Sequence, residues 1–125
     1  MKAIKSPPTR LLAIAALLAA LPAAAAPGVT DLGTLKNDKS GNSQAVSFNS
    51  DGSIVVGFAD NDNGRSRATV WSGNGWTTKT DLGTLKSDNS GYSYARGLSD
   101  DGSVIFGEAD SDNGQSRATV WSGSN

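Results

Sequence analysis

The stretch Ser-Arg-Ala-Thr-Val-Trp-Ser-Gly occupies residues 66–73 and recurs unchanged at residues 116–123, an offset of 50 positions. The match extends without gaps over residues 30–73 and 80–123, where 29 of the 44 positions are identical. Repetition at a period of roughly 20–50 residues is typical of propellers, solenoids and repeat arrays. Each repeat is therefore expected to be one structural unit that packs against its neighbour.

Each repeat alternates short apolar runs with turn residues, a pattern that predicts strands joined by hairpins. The pair Asp51-Gly52 tolerates the positive φ that a tight hairpin needs, and it recurs at Asp101-Gly102. No helical apolar period occurs after residue 27, so little helix is expected there. The predicted strands of the first repeat cover residues 43–49, 53–59, 65–71 and 76–82.

The predicted fold is all-β, with two four-stranded antiparallel meander repeats, each the size of a β-propeller blade. A closed propeller needs about four or more blades, so two repeats would form an incomplete propeller. A β-solenoid is the alternative. The second repeat stops before its fourth strand, and residues 29–35 copy the sequence of that strand. These residues are predicted to form a strand that would supply the missing one.

The predicted organisation leaves the array open at both ends. We expect the chain either to be a fragment of a longer repeat array or to associate with further copies. The predicted segments are a signal peptide at 1–26, the last strand of a preceding repeat plus a loop at 27–42, repeat 1 at 43–92, and repeat 2 at 93–125.

The first 26 residues have the layout of a cleaved secretory signal peptide. Lys2, Lys5 and Arg10 precede the apolar run 11–21, and small residues follow it. As a helix that run would span about 16 Å, against about 30 Å for a bilayer core, so no transmembrane span is expected in the mature chain. An uncleaved buried or amphipathic helix is the alternative. Export would place the protein in the periplasm, on the outer-membrane surface or outside the cell.

Composition excludes several kinds of chemistry. The chain contains neither His nor Cys, which excludes thiol and histidine catalysis, disulfides and Cys/His zinc sites. Residues 27–125 carry 8 basic and 12 acidic side chains, so there is no basic excess for nucleic acid. The acidic positions are mostly copied from repeat to repeat, whereas a catalytic centre is normally asymmetric. The protein is therefore not expected to be an enzyme, and no cofactor is expected.

The repeat resembles the HAF family of bacterial extracellular repeats. The resemblance rests on Asp-Leu-Gly-Thr-Leu at 31–35, on the Asp-Gly-Ser turn at 51–53 and on Ala-Thr-Val-Trp-Ser at 68–72, each present twice. It implies an exported protein similar to the passenger regions of autotransporters, and it implies no catalytic residue. The tripeptide His-Ala-Phe that names the family stands here as Arg-Ala-Thr, at 67–69 and 117–119.

The acidic turns at 60–64 and 110–114 place oxygen ligands at alternating positions, which is a pattern that suits calcium. Their spacing does not match an EF-hand loop: if Gly64 takes the glycine position, the sixth, then Ala59 and not an aspartate stands at the first position. The alternative is a hairpin turn in which Asn-Gly provides positive φ. The candidate ligands of a weak calcium site are Asp60, Asp62, Asp110 and Asp112.

Strand alternation predicts that Arg67 and Trp71 share one face, and that Arg117 and Trp121 do the same in the second repeat. Exposed, such a pair would bind a glycan or an acidic peptide by stacking. The alternative places the tryptophan between neighbouring repeats and pairs the arginine with Asp60 or Asp62 across the hairpin.

Tyr92 and Tyr94 replace Asn42 and Gln44 of the first repeat, so they mark a place where two close copies differ. They lie where a loop enters a strand, and loops commonly carry binding residues. Drift on a solvated loop is the alternative. With the arginines and tryptophans, these tyrosines complete the predicted set of binding residues.

Three functions follow from these features. The first is an exported, non-enzymatic β-repeat module of a cell-surface or secreted protein, which adheres to a host or matrix glycan or protein through its loops. The second is a truncated remnant without independent function. The third is a carbohydrate-active enzyme built on a propeller, which would need clustered carboxylates that differ between repeats. The partners expected for the first are its ligand and further repeats of the same kind, by self-association.

Overall fold

A computed structural model describes residue 3 and residues 27–123. The predicted signal peptide, apart from Ala3, therefore lies outside the described residues. The chain divides into a segment of residues 1–30 and a larger unit of residues 31–125. In the first segment, residues 27–30 contain no regular secondary structure. The part of the chain that the structure describes holds no helix whose length and hydropathy would suit a membrane span.

The larger unit is all-β, as predicted, with seven strands in two antiparallel sheets. Within the described residues there is no α-helix and no closed barrel. Each sheet is a meander, because sequential strands are neighbours and are joined by hairpins. Sheet 1 contains β1 (Ser43–Phe48), β2 (Val55–Asp60), β3 (Ser66–Ser72) and β4 (Thr78–Asp81). Sheet 2 contains β5 (Ser93–Leu98), β6 (Val104–Asp110) and β7 (Ser116–Ser122).

The two sheets carry the repeat, so residues 50 positions apart are structurally equivalent. The β1–β2 ladder shifts register between Ala45 and Ser47, and the β5–β6 ladder shifts between the equivalent residues Ala95 and Gly97. A single irregularity copied at the same place shows that the repeats agree in detail as well as in strand order.

The strand predicted at residues 29–35 does not form, since residues 27–42 contain no strand. A strand needs a neighbour, and the equivalent strand β4 pairs with β3 in sheet 1. The loop at 31–42 instead crosses the end of the β2–β3 hairpin, where Leu35 N donates to Asp60 O at 3.0 Å. The start of the fourth strand was also misplaced, because Trp76 belongs to a short 3-10 turn at Asn74–Trp76 and has a φ of 55°.

The hydrophobic core lies between the two sheets. Strand β5 lies across β1, β2 and β3, so the first strand of one repeat covers the face of the other. Ala68 N donates to Ser93 Oγ at 2.9 Å, a bond that ties β3 to β5 across this interface. The buried core residues are Val56, Ala68 and Val70 from sheet 1 with Ala95 and Ile105 from sheet 2. Around them pack Ile54, Leu82, Leu98 and Trp121.

Candidate functional site: a tyrosine–arginine surface

Arg67 is buried rather than exposed, so it is not part of an open binding face. Its side chain joins β3 to the loop before β5, and only 2% of the residue is exposed. The Nε atom lies 3.1 Å from Asp81 Oδ1, and the two terminal nitrogens donate to the backbone and side-chain oxygens of Asn89 at 2.7 and 2.9 Å. The expected pairing with Asp60 or Asp62 was therefore wrong. Asp81 is the partner because it lies beside β3, on β4.

Arg117, the equivalent residue of the second repeat, is exposed. Among the described residues its guanidinium makes one hydrogen bond, from Nη2 to Gln115 Oε1 at 2.7 Å. The two arginines occupy equivalent positions of the repeat but differ in environment: Arg67 bonds to Asp81 and Asn89, whereas Arg117 bonds to Gln115. Arg117 therefore remains available to bind a partner.

The tryptophans are not an exposed stacking face either. Trp71 is fully buried, and its indole nitrogen has no hydrogen-bond partner among the described residues. Trp121 is half-buried and packs against the core between the sheets. The alternative that placed a tryptophan between neighbouring repeats thus describes Trp121, and the predicted glycan face made of Arg67 and Trp71 was wrong.

The acidic turns are structural hairpins. Asn61 N donates to Arg65 O at 2.9 Å, and Gly64 closes the turn with a φ of 71°. Asp62 accepts a bond from Asn37 N at 2.8 Å, and Asp60 accepts one from Asn42 N at 2.9 Å. These carboxylates therefore hold the loop at 31–42 against sheet 1.

The same bonds recur in the second repeat. Asp112 accepts from Ser87 N at 2.8 Å, and Asp110 accepts from Tyr92 N at 2.9 Å. Within the described ranges, no group of three or more acidic, His or Cys side chains is placed to hold a metal ion. Each of these carboxylates accepts a bond from a backbone amide, so the hairpin interpretation accounts for these aspartates.

Four further aspartates cap turns of the form Asp-x-Ser. In each turn the Asp carboxylate accepts the backbone N–H of the serine two residues later, at 2.9 or 3.0 Å. Bonds from this serine lower the carboxyl pKa, because they favour the charged form. The lowered pKa values belong to Asp38, Asp51, Asp88 and Asp101. For Asp101 the pKa falls to about 2, through the Ser103 amide first, then the Ser103 hydroxyl and the Ser99 hydroxyl.

Tyr92 and Tyr94 form the centre of an aromatic and cationic cluster. The Arg65 guanidinium carbon lies 5.0 Å from the Tyr92 ring centroid, and that of Arg96 lies 5.4 Å from the Tyr94 ring centroid. Phe58 meets Tyr94 edge to face, with ring centroids 4.9 Å apart. Both distances from the arginines fall within the range of a cation–π interaction. We call these five residues the tyrosine–arginine surface.

This surface draws on both sheets. Phe58 lies on β2 and Arg65 at the β2–β3 turn, whereas Tyr94 and Arg96 lie on β5 and Tyr92 immediately precedes it. Arg96 also pairs with Glu108 of the neighbouring strand β6. Tyr92, Arg65 and Arg96 are exposed, and the rings of Tyr94 and Phe58 are half-buried. Packing restricts the rotamers of these two half-buried rings, so this part of the surface is pre-organised.

Every residue of the tyrosine–arginine surface stands at a position where the repeats differ. The residues at the equivalent positions are Glu108, Gln115, Asn42, Gln44 and Val46. Sequence reasoning identified the two tyrosines from this difference and missed Phe58, Arg65 and Arg96. The same signal would have found all five, had it been applied to each of the differing positions.

The described residues form clefts beside the core and beside the tyrosine–arginine surface. One opens between the sheets beside Trp121 and Val120, and its other wall is formed by Val70, Thr80 and Leu82. The second cleft is polar and adjoins the tyrosine–arginine surface at Arg65. It is also lined by the Arg67–Asn89 contact.

No family model matches the chain, and neither a curated protein nor a solved structure matches it.

Proposed function

We propose that this chain is an exported, non-enzymatic β-repeat module of a cell-surface or secreted protein, which binds a protein ligand through the tyrosine–arginine surface. The observation that carries the proposal is the stacking of Arg65 and Arg96 on Tyr92 and Tyr94 at positions where otherwise similar repeats differ. Tyrosine and arginine dominate the binding energy of protein interfaces. The signal-like start of the chain and its resemblance to HAF repeats support export and a surface location.

The guanidiniums that lie over the two tyrosine rings favour a protein ligand over a glycan. Glycan binding by stacking needs a free aromatic face, whereas here a guanidinium lies over each tyrosine ring. Exposed guanidiniums instead present planar, multiple donors to carboxylate and carbonyl groups. Arg65 makes no ion pair among the described residues, so its charge is available to an acidic group on the ligand.

The repeat itself supplies the variants for a test. Replacing Tyr92→Asn and Tyr94→Gln installs the residues that the first repeat carries at equivalent positions, so the backbone is expected to tolerate them. Ser111→Asn is the matched control, since it also restores a first-repeat residue but lies outside the surface. Immobilised matrix proteins and a glycan array are the probes.

We expect the unaltered chain to bind one or more of the matrix proteins. The double tyrosine variant should lose at least about tenfold in affinity, because tyrosine is enriched among the interface residues whose truncation costs about 2 kcal/mol or more. The Ser111→Asn variant should bind like the unaltered chain. Circular dichroism of each variant checks that the sheets are intact. Equal binding by the double variant, or binding to glycans alone, would overturn the proposal.

A further inference from the structure

The interface between the two repeats is formed by a receiving face on sheet 1 and a covering strand, β5, of sheet 2. The equivalents of both are also present in the chain, as a face of sheet 2 and as β1. In the internal interface, the β2–β3 face of sheet 1 is covered by β5. Val56 and Ala68 are fully buried there, and Val70 is 7% exposed. Ile54 approaches Gly102 so closely that a Cβ on that glycine would lie 2.3 Å from Ile54 Cδ1.

The equivalent face of sheet 2 is exposed. Phe106 and Val120, which correspond to the buried Val56 and Val70, are 52% and 64% exposed. Val104 and Ala118 are exposed as well. Contiguous exposed apolar side chains in a soluble protein commonly mark a surface that binds a partner. In sheet 1 the equivalent face is covered by β5.

The covering half is present on sheet 1 and is exposed along β1, although Trp71, the equivalent of the interface residue Trp121, is fully buried. Ser93 and Ala95 of β5 are fully buried in the internal interface, but their equivalents Ser43 and Ala45 on β1 are exposed. Phe48, equivalent to the half-buried Leu98, is 68% exposed. A β1 strand thus presents the same small residues that β5 uses to approach β3.

In sheet 1 the fourth strand, β4, lies beside β3, and the residues equivalent to β4 are 28–31, near the start of the chain. β7 is the edge of sheet 2 in the described residues, whereas the equivalent strand β3 pairs with β4. Residues 30–36 are identical to residues 80–86, which include the end of β4. Val29 is fully exposed and residues 27–30 form no strand. This segment is available to add to an open sheet edge, a common mode of recognition.

The loop that would receive Arg117 is already formed. Arg67 bonds to Asp81 and to the carbonyls of Asn89 and Gly91, and the equivalents of these three residues are Asp31, Lys39 and Gly41. Lys39 has a φ of 61° against 54° for Asn89, and Gly41 has 87° against 88° for Gly91. The backbone at 31–41 therefore offers the same carbonyls as the loop at 81–91.

We propose that a second copy of this chain docks head-to-tail on sheet 2. Its β1 covers the face that contains Phe106 and Val120, its residues 28–31 pair with β7 as a fourth strand, and its loop receives Arg117. Lys39 in place of Asn89 removes one acceptor and adds a positive charge beside Arg117. The contact between chains is therefore weaker than the internal one, and association depends on concentration. Such a contact is heterologous, so it continues into longer assemblies or closes into a ring.

Two variants test the two halves of the contact separately. Val120→Glu places a charge on the receiving face, and Ala45→Glu places one on the covering face, both at exposed positions. Asn74→Lys, at the exposed turn between β3 and β4, is the control, because this turn belongs to neither face. Sedimentation velocity over a range of concentrations gives the mass. This inference does not depend on the ligand proposed above, because neither altered position belongs to the tyrosine–arginine surface.

We expect the unaltered chain and the Asn74→Lys control to gain mass with concentration, and each glutamate variant alone to remain monomeric. An equimolar mixture of the two glutamate variants should form dimers and nothing larger, because one intact face of each kind remains. A monomer at every concentration for the unaltered chain would overturn the proposal. So would a mixture that stays monomeric while the unaltered chain associates, since that result indicates a symmetric contact.

A cross-link provides a second measurement that does not rely on disrupting the contact. The internal bond between Ser93 and Ala68 places their equivalents, Ser43 and Ala118, side by side between chains. The chain has no cysteine, so Ser43→Cys with Ala118→Cys introduces the sole thiols. Oxidation should give a ladder of multimers on a non-reducing gel. Ser43→Cys with Asn74→Cys is the control, because Asn74 is exposed at the turn between β3 and β4 and belongs to neither face. A ladder of equal yield from the control would contradict the proposed geometry.

Discussion

The guanidinium of Arg67 donates a hydrogen bond of 2.7 Å to the backbone carbonyl of Asn89, and thereby joins the third strand of sheet 1 to the loop that leads into sheet 2. A second bond, of 2.9 Å, reaches the side-chain oxygen of the same residue. The positive φ of Asn89, 54°, turns its carbonyl toward the arginine. One buried side chain therefore fixes the loop that separates the two sheets.

Replacing Arg67 with alanine should lower the free energy of unfolding by about 2–3 kcal/mol, because it removes a buried side chain together with its hydrogen bonds to Asp81 and to the backbone and side-chain oxygens of Asn89. Urea unfolding followed by circular dichroism measures the change. Arg117→Ala is the matched control, because the same residue type stands at the equivalent position but is exposed. It should shift the free energy of unfolding by less than about 0.5 kcal/mol. Equal losses for the two variants would show that the hydrogen bonds of Arg67 do not stabilise the folded state.

The core between the sheets leads to a second prediction. Ile105 is 5% exposed and packs in the cluster with Val56 and Ala95. Ile105→Ala should cost about 2–4 kcal/mol of unfolding free energy, through lost burial and a residual cavity.

Phe106 is the neighbouring residue of the same strand and is the control for this prediction. It lies mostly on the exposed face, so Phe106→Ala should cost about 1 kcal/mol or less in dilute, monomeric protein. Chemical denaturation of both variants at low concentration makes the comparison. If the larger side chain proved the costlier loss, the core would not lie between the sheets as described.

Much of the fold was predictable because local chemistry determines it. The pair Asp51-Gly52 predicted a hairpin, and the β-branched run that follows it predicted β2. The failures concern pairing between distant segments. Residues 29–35 match a strand in sequence, but a strand forms only where the chain lies beside the edge of another strand, and no local pattern shows whether it does. The partner of Arg67 was missed for the same reason, since Asp81 approaches it only once β4 lies beside β3.

The candidate site was predictable in part. Tyr92 and Tyr94 were found because they break the repeat. Arg65 breaks it too, but its connection to Tyr92 depends on the packing of β5 against sheet 1. The sequence alone places these two residues 27 positions apart, and nothing in their spacing indicates contact. The surface is a product of the interface between repeats, which neither repeat contains alone.

A third prediction concerns Gly57, which permits the close approach of β1 and β2. A Cβ at this position would lie 1.9 Å from the backbone oxygen of Gln44, and neither strand can yield without breaking the ladder. Gly57→Ala should therefore destabilise the protein by about 3 kcal/mol.

Gly64 separates this steric effect from the general effect of adding a methyl group. It has a φ of 71°, but no atom lies within 4 Å of a Cβ built there. Gly64→Ala should cost only the strain of the left-handed conformation, about 1 kcal/mol. Thermal unfolding of both variants tests the order. A Gly57→Ala variant as stable as Gly64→Ala would mean that the ladder relaxes around the methyl group.

The last prediction concerns acid. Bonds from the Ser103 amide and hydroxyl and from the Ser99 hydroxyl hold the pKa of Asp101 at about 2 in the folded chain, against 3.8 for an ordinary aspartate. A lowered pKa stabilises the folded state above pH 3.8, and this stabilisation is lost as the pH falls toward 2.

The variant Asp101→Asn keeps an acceptor at this turn but removes the charge, and the other capped aspartates are common to both proteins and cancel in the comparison. The melting temperature of the unaltered chain should exceed that of the variant at neutral pH. The difference should shrink as the pH falls from 3.8 to about 2, because Asp101 of the folded chain then becomes protonated. A difference that stays constant over this range would show that the turn depends on the shape of the side chain and not on its charge.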